Sequence, residues 1–354
     1  MSSAPVTTDT RTRRKVIRWV ILGALSLAAA GLALFAVQKI GLHRIGDALA
    51  TVNAPWLLLS FGLMTVSMAF RAESWYALLR AALVDVRPHR AETLRGTSIG
   101  VFVSATLPGR LGEPIRAVIL SRRLGDVRRR LPVVLGTVFS QSLLNIVALL
   151  VLAGITLGEL PLVRDHLTAF GLAVLIPAAL LACLALGPRL IRRIRWQRIP
   201  VIELVSSWVA DHIAQIRRGL QAFRDPFRGV EASVAQLTAW GLQMLACYVL
   251  FIAFGLQDRL GVGAAAAVLL AVNVSAILPP TPSNVGIFQA ACVVVLSLEG
   301  IGKGEALAYG IVLQLVEVAT AVTLGVPSLV KEGVSWREIR ATAADIRAGQ
   351  PDGA

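Results

Sequence analysis

The chain has 354 residues, of which 56% are hydrophobic and only 16% are charged, and its mean hydropathy is +0.70. Soluble domains are about 45–50% apolar and about 25% charged, so the composition indicates a membrane protein and argues against a soluble domain or a disordered chain. A net charge of +14 would suggest a nucleic-acid partner in a soluble protein. In an apolar chain it is typical of basic loops on one side of a membrane, so we expect no nucleic-acid partner.

Six segments are long and apolar enough to cross a bilayer, whose core of about 30 Å needs roughly 20 residues of helix. They are residues 17–37, 56–70 with their flanks, 131–157, 167–186, 234–256 and 306–330. The first segment follows a basic N-terminus as a signal peptide does. Its apolar stretch exceeds the usual apolar core of about 7–15 residues, so we predict a retained anchor.

Two further apolar regions are each interrupted by residues that stop helices. The region near 94–121 is broken at Pro108-Gly109, and the region 263–298 is broken at the stretch 279–282, which contains three prolines. Each therefore predicts a pair of short helices, which we interpret as re-entrant: both return to the side from which they entered. The predicted fold is all-α, a polytopic helical membrane protein with six full spans and two re-entrant helix pairs.

The distribution of basic residues supports this path. With a cytoplasmic N-terminus, 30 of the 35 Lys and Arg residues fall in cytoplasmic segments, as the positive-inside rule requires. If the first broken region crossed the membrane once, the basic cluster 110–130 would face outward. We therefore expect both termini to lie in the cytoplasm and the protein to lie in a bacterial inner membrane.

The order of elements repeats with inverted orientation, a plan found in many secondary transporters. The pattern Ser104-Ala-Thr-Leu-Pro108 recurs as Ser275-Ala-Ile-Leu-Pro279, at an offset of 171 residues. We predict a first membrane half at 17–158 and a second at 166–330, which contains a cytoplasmic amphipathic helix at 200–227. Cytoplasmic tails occupy 1–16 and 331–354. The alternative is six ordinary helices, two kinked ones and a chance repeat.

The first break carries charge, with Arg110, Glu113 and Arg116 close to Pro108 and Gly112. Two arginines beside a helix N-terminus suit a phosphate, and Glu113, three residues before Arg116, lies on the same helix face and can orient it. The alternative is a nonspecific contact with anionic headgroups. We prefer that alternative for five further arginines, which are Arg122, Arg123, Arg128, Arg129 and Arg130.

The second break has no charge but offers hydroxyl and amide groups for a polar headgroup. Its candidate contacts are Thr281, Ser283 and Asn284, among Pro279, Pro282 and Gly286. The alternative is a rigid turn that Ser283 or Asn284 caps.

Polar residues also interrupt the spans after each break. Glu317 is either a cavity carboxylate or a protonated group bonded to a facing helix. For Gln141, Asn145 and Gln314 we favour hydrogen bonds between helices over substrate contacts. Arg71 and Glu73 are interpreted as an interface pair, with a place at the mouth of a cavity as the alternative.

Metal and cofactor chemistry is not indicated. The three cysteines lie in apolar runs without a CxxC spacing, and the four histidines are scattered. We expect buried thiols, no metal and no cofactor.

The two interrupted segments together resemble the lysylphosphatidylglycerol synthase transmembrane-region family, often described as flippase-like. The motif P-x-R-x-G-E-x-x-R falls on Pro108, Arg110, Gly112, Glu113 and Arg116, and L-P-x-T-P-G-x-x-G falls on 278–286, with Ser283 in place of glycine. In members fused to an aminoacyltransferase, the membrane part moves aminoacylated phospholipids. The chain ends soon after its last span, so the resemblance implies the translocating part without the synthase.

These features predict a lipid translocase that moves a phosphate-bearing headgroup between leaflets, with a phospholipid or other lipid phosphate as its ligand. The alternative is a membrane-embedded enzyme, or an accessory subunit, that acts on a lipid-linked substrate. We expect no enzyme activity, because no paired carboxylates, metal cluster or nucleophile triad is evident. A lipid synthase or a second copy of the chain is the expected protein partner.

Overall fold

The computed structural model describes residues 52–159, apart from 84, 108–110 and 126, together with 225–276, 284, 286–334 and 336–348. The predicted spans at 17–37 and 167–186, and residues 200–224 of the amphipathic segment, lie outside the described residues. The same holds for six of the candidate site residues, which are Pro108, Arg110, Pro279, Thr281, Pro282 and Ser283.

All the regular structure in the described part of the chain is helical. The helices are α1 (Ala54–Ala82), α2 (Arg90–Thr106), α3 (Gly112–Arg123), α4 (Val127–Glu159), α5 (Pro226–Ala253), α6 (Val262–Ser275), α7 (Ile287–Leu298), α8 (Lys303–Glu332) and α9 (Trp336–Ala348). This confirms the all-α prediction for those residues.

Four of these helices are long and apolar enough to cross a membrane. They are α1, the Arg129–Gly158 part of α4, α5 and α8. They coincide with the predicted spans at 56–70, 131–157, 234–256 and 306–330. The total of six spans stays a prediction.

Both interrupted regions contain two short helices, as the breaks predict. In the first, α2 ends at Thr106, just before Pro108, and α3 begins at Gly112. In the second, α6 ends at Ser275 and α7 begins after Gly286, whose φ of 90° lies in the region that favours glycine. The return of each pair to its side of entry stays a prediction.

Three buried clusters place these pairs inside the helix assembly. The largest joins α1 and α4 to α5, α6, α7 and α8, and it includes Trp240, Phe251 and Tyr309. A second joins α2 and α3 to α8 and α9, and a third joins α1, α3 and α4. The first pair therefore packs between α1 and α8, while the second packs against α4, α5 and α8.

Helix α9 lies within the predicted C-terminal tail. Its residues Ile339 and Ala343 are buried in the cluster that α2, α3 and α8 share. The tail prediction, 331–354, did not anticipate this docked helix.

Candidate functional site

Helix α2 is tightly packed against its neighbours at two glycines, one at the start of α3 and one on α8. A Cβ at Gly112 would overlap the carbonyl oxygen of Gly100 and the hydroxyl of Ser104, so α3 can begin against α2 only with glycine there. A Cβ at Gly325 of α8 would overlap Phe102 from the other side. The structure therefore gives Gly112 a packing role and holds α2 closely between α3 and α8.

Arg116 of α3 is buried and held by groups from three directions. It forms an ion pair with Glu113, and its Nη2 donates a hydrogen bond to Gln141 Oε1 at 3.0 Å. Its guanidinium also lies over the Trp75 ring, 4.4 Å from the centroid. The predicted pairing of Glu113 with Arg116 is present, and the same contacts fix Arg116 inside the protein.

A chain of amides continues from Arg116 across the bundle. Gln141 Nε2 donates to the backbone oxygen of Arg71 at 2.7 Å and to Gln236 Oε1 at 3.0 Å. Gln236 Nε2 and Trp240 Nε1 in turn donate to Asn145 Oδ1, at 2.6 and 3.0 Å. Gln141 and Asn145 thus make the hydrogen bonds between helices that the sequence favoured, and they tie α3, α1, α4 and α5 together.

A cavity of about 180 Å³ lies between the two interrupted regions and α8. Its polar lining comes from α2, α6, the second break and α8, and the groups are Ser104, Asn273, Asn284, Gln314 and Glu317. The remaining lining is mainly apolar, including Val101, Ala105, Val272 and Ala276. The cavity is therefore small and mixed, with a carboxylate on its α8 wall.

The second break shapes this cavity through its backbone. Asn284, which lines it, has a φ of 53°, a conformation that asparagine tolerates better than most residues. The Gly286 N–H donates to Gln289 Oε1 at 2.7 Å, and Gln289 Nε2 donates to Gln314 on α8. Asn284 and Gln314 thus meet at one site, while Gly286 provides the turn into α7.

Arg71 of α1 belongs to the Arg116 network. Its Nη2 is 3.8 Å from Glu113 Oε1, and its backbone oxygen accepts a hydrogen bond from Gln141. Glu73 of the same helix pairs with Arg90 of α2 at 2.9 Å. Arg71 and Glu73 thus each contact another helix, and their position at the membrane interface stays a prediction.

An ion cluster closes the far end of the α2–α8 interface. The Glu332 side chain is only 3% exposed and pairs with Arg95 of α2 and with Arg123 Nε of α3, the latter at 2.7 Å. Arg129 and Arg130 lie 3.6 Å from Asp85. Arg123, Arg129 and Arg130 therefore have protein carboxylates nearby, and their contact with lipid headgroups stays a prediction.

The candidate residues therefore fall into two neighbouring groups. Glu113, Arg116, Gln141 and Asn145 belong to the buried network, and Asn284, Gln314 and Glu317 belong to the cavity. The substrate-binding role of either group stays a prediction.

The sequence analysis missed Ser104 and Asn273 as cavity residues. A signal was present, since the repeat extends upstream: Val101-Phe-Val-Ser-Ala corresponds to Val272-Asn-Val-Ser-Ala at the same offset of 171. Val101 and Val272 both line the cavity, and so do Ala105 and Ala276. Equivalent positions of the repeat therefore face the same space.

The described residues contain no group of three His, Cys, Asp or Glu side chains that could hold a metal ion. Among known families, the model of the lysylphosphatidylglycerol synthase TM region matches residues 19–325. No curated protein and no solved structure matches the chain.

Proposed function

The chain belongs to the lysylphosphatidylglycerol synthase TM-region family, a family of membrane proteins linked to lipids, and on that basis we propose that it moves a lipid between the two leaflets of a membrane. The headgroup, which bears a phosphate, occupies the cavity while the acyl chains stay in the bilayer. Movement of one half against the other exposes the headgroup to each leaflet in turn.

One observation carries this proposal: five polar side chains line a cavity that equivalent positions of the repeat face from both sides. A carboxylate and amides are expensive among membrane-spanning helices unless they face a cavity or a partner, so their clustering favours a site for polar cargo. Irregular backbone at membrane depth is likewise tolerated where it lines a cavity. The break at Asn284 fits that condition.

The proposal includes a topology. Six spans and two re-entrant pairs form two inverted halves in a bacterial inner membrane, with both termini in the cytoplasm. The uneven distribution of Lys and Arg supports this orientation. A lipid synthase or a second copy of the chain is the proposed protein partner.

Reconstituted vesicles with fluorescent phosphatidylglycerol in both leaflets test the function, because a membrane-impermeant quencher reports the fraction that reaches the outer leaflet. Ala105→Leu combined with Ala276→Leu fills the cavity from both sides of the repeat. We expect lipid movement to fall to the protein-free rate. The matched control combines Ala69→Leu with Ala319→Leu, which add the same volume at exposed positions of α1 and α8.

Equal lipid movement by the cavity-filled variant and the wild type would contradict the proposal. The lipids are also analysed by mass spectrometry after incubation. A new lipid product made by the wild type would favour the enzyme alternative.

A further inference from the structure

Two arginines share one carboxylate, that of Glu113, but they are held differently. Arg116 has Glu113, Gln141 and the face of Trp75 around it, and its side chain is 4% exposed. Arg71 is 3.8 Å from the same Glu113, beyond hydrogen-bond distance, and its side chain is 26% exposed. Arg71 is therefore the more accessible and the more weakly bound of the two.

The side chain of Arg71 also has donor capacity to spare. Its Nε is buried and has no hydrogen-bond partner among the described residues. A buried N–H of this kind is costly unless a ligand or water satisfies it. Its backbone is fixed, since the Arg71 carbonyl accepts a hydrogen bond from Gln141, so the guanidinium extends from an anchored position.

The local charge favours an anion. Arg71, Glu113 and Arg116 together carry a formal charge of +1, because one carboxylate serves two guanidinium groups. A phosphodiester carries a single negative charge, and the planar guanidinium fork can bind two of its oxygens at once. Glu113 directly follows Gly112, which packs against Ser104 of the cavity wall, so the carboxylate that Arg71 faces lies next to the cavity.

We propose that Arg71 is the residue that binds the phosphate of the translocated lipid, and that Arg116 positions Glu113 beside it. This inference rests on the proposed function and assigns its phosphate contact. Arg71 exchanges its long contact with Glu113 for the phosphate, while Arg116 stays within its buried network.

The test uses the full chain in vesicles with two fluorescent lipids, phosphatidylglycerol and the phosphate-free glucosyl-diacylglycerol. Arg71→Gln removes the charge and the fork, and Arg71→Lys keeps the charge alone. We expect Arg71→Gln to slow phosphatidylglycerol movement at least tenfold and Arg71→Lys to slow it less. Retention of phosphatidylglycerol in native mass spectrometry should fall in the same order.

The matched control is Arg80→Gln on the same helix, where Arg80 Nη1 donates to the Tyr76 hydroxyl at 3.1 Å. It should leave movement of both lipids unchanged. Thermal unfolding of each variant shows whether the fold is intact.

The outcomes separate the two proposals. If the wild type moves neither lipid, the proposed function fails, and this inference fails with it. If the wild type moves phosphatidylglycerol and Arg71→Gln moves it equally fast, the inference alone is overturned. Equal losses for both lipids, or an unfolding temperature that falls with activity, would show a structural role for Arg71 and also overturn it. The inference is supported if Arg71→Gln slows the movement of phosphatidylglycerol but not that of the glucosyl lipid. It is also supported if the wild type moves phosphatidylglycerol alone and Arg71→Gln slows that movement without lowering the unfolding temperature.

Discussion

The two interrupted regions share a plan but differ in how they are held. The first, α2–α3, contributes charged groups to ion pairs with α1 and α8, and it depends on close contact at Gly112. The second, α6–α7, consists largely of alanine, valine and leucine, and its described side-chain hydrogen bond to α8 is an amide pair. The comparison teaches that helix interruption alone does not set the chemistry of such a unit.

The difference has a physical basis. Buried charges require partners, so the first unit is fixed by specific pairs whose loss is costly. Small apolar side chains pack by shape, so the second unit can leave a cavity at its end without stranding charges. We expect substitutions in the first unit to be the more destabilising.

The largest effect is expected for Gly112→Ala in the first unit. The added methyl group would overlap the Gly100 backbone, which cannot move aside as a flexible side chain can. Overpacking costs about 1–3 kcal/mol and occasionally more, and this site belongs at the upper end, about 3 kcal/mol of unfolding free energy. Thermal unfolding in lipid nanodiscs measures it. Gly154→Ala on α4, with open space around it, is the control and should not destabilise.

Glu332→Gln should have the next largest effect. Removing one member of a buried ion pair costs about 3–5 kcal/mol, but the arginine partners are 26% and 47% exposed. Water can therefore solvate the unpaired arginines and offset part of this cost. We expect the unfolding free energy to fall by about 2 kcal/mol in the same measurement. Glu305→Gln in the first turn of α8 is the control. Equal unfolding temperatures for the two variants would show that the Glu332 ion cluster does not stabilise the first unit.

The smallest effect is expected for Gly286→Ala in the second unit. Its cost arises from the backbone, whose φ of 90° and ψ of −50° form a sparsely populated conformation. Such conformations cost about 1–3 kcal/mol, and we expect the lower end of that range. Gly302→Ala, at a φ of −61° and with no neighbour within 4 Å, should be near neutral. If Gly286→Ala destabilised the protein more than Gly112→Ala, the proposed contrast between the units would be reversed.

The length of apolar segments and the positions of helix-breaking residues are local features of the sequence, and they predicted the positions of most described helices. The span at 131–157 appears as Arg129–Gly158, and both breaks separate two helices close to the expected positions. The pair Glu113–Arg116 was also predictable, because residues three apart share a helix face. The contact of Arg71 with Glu113 was not predicted, because Glu113 is on another helix.

By itself, the sequence determined that this is a helical membrane protein, where two of its helices are interrupted and which local charges pair. The tertiary structure alone decided that Arg71 lies beside Glu113, that Arg95 meets Glu332 and that Val101 and Val272 face one cavity. Arg95 and Glu332 are 237 residues apart. Contacts at that separation depend on how whole helices cross and in which register, and no local pattern of residues encodes that.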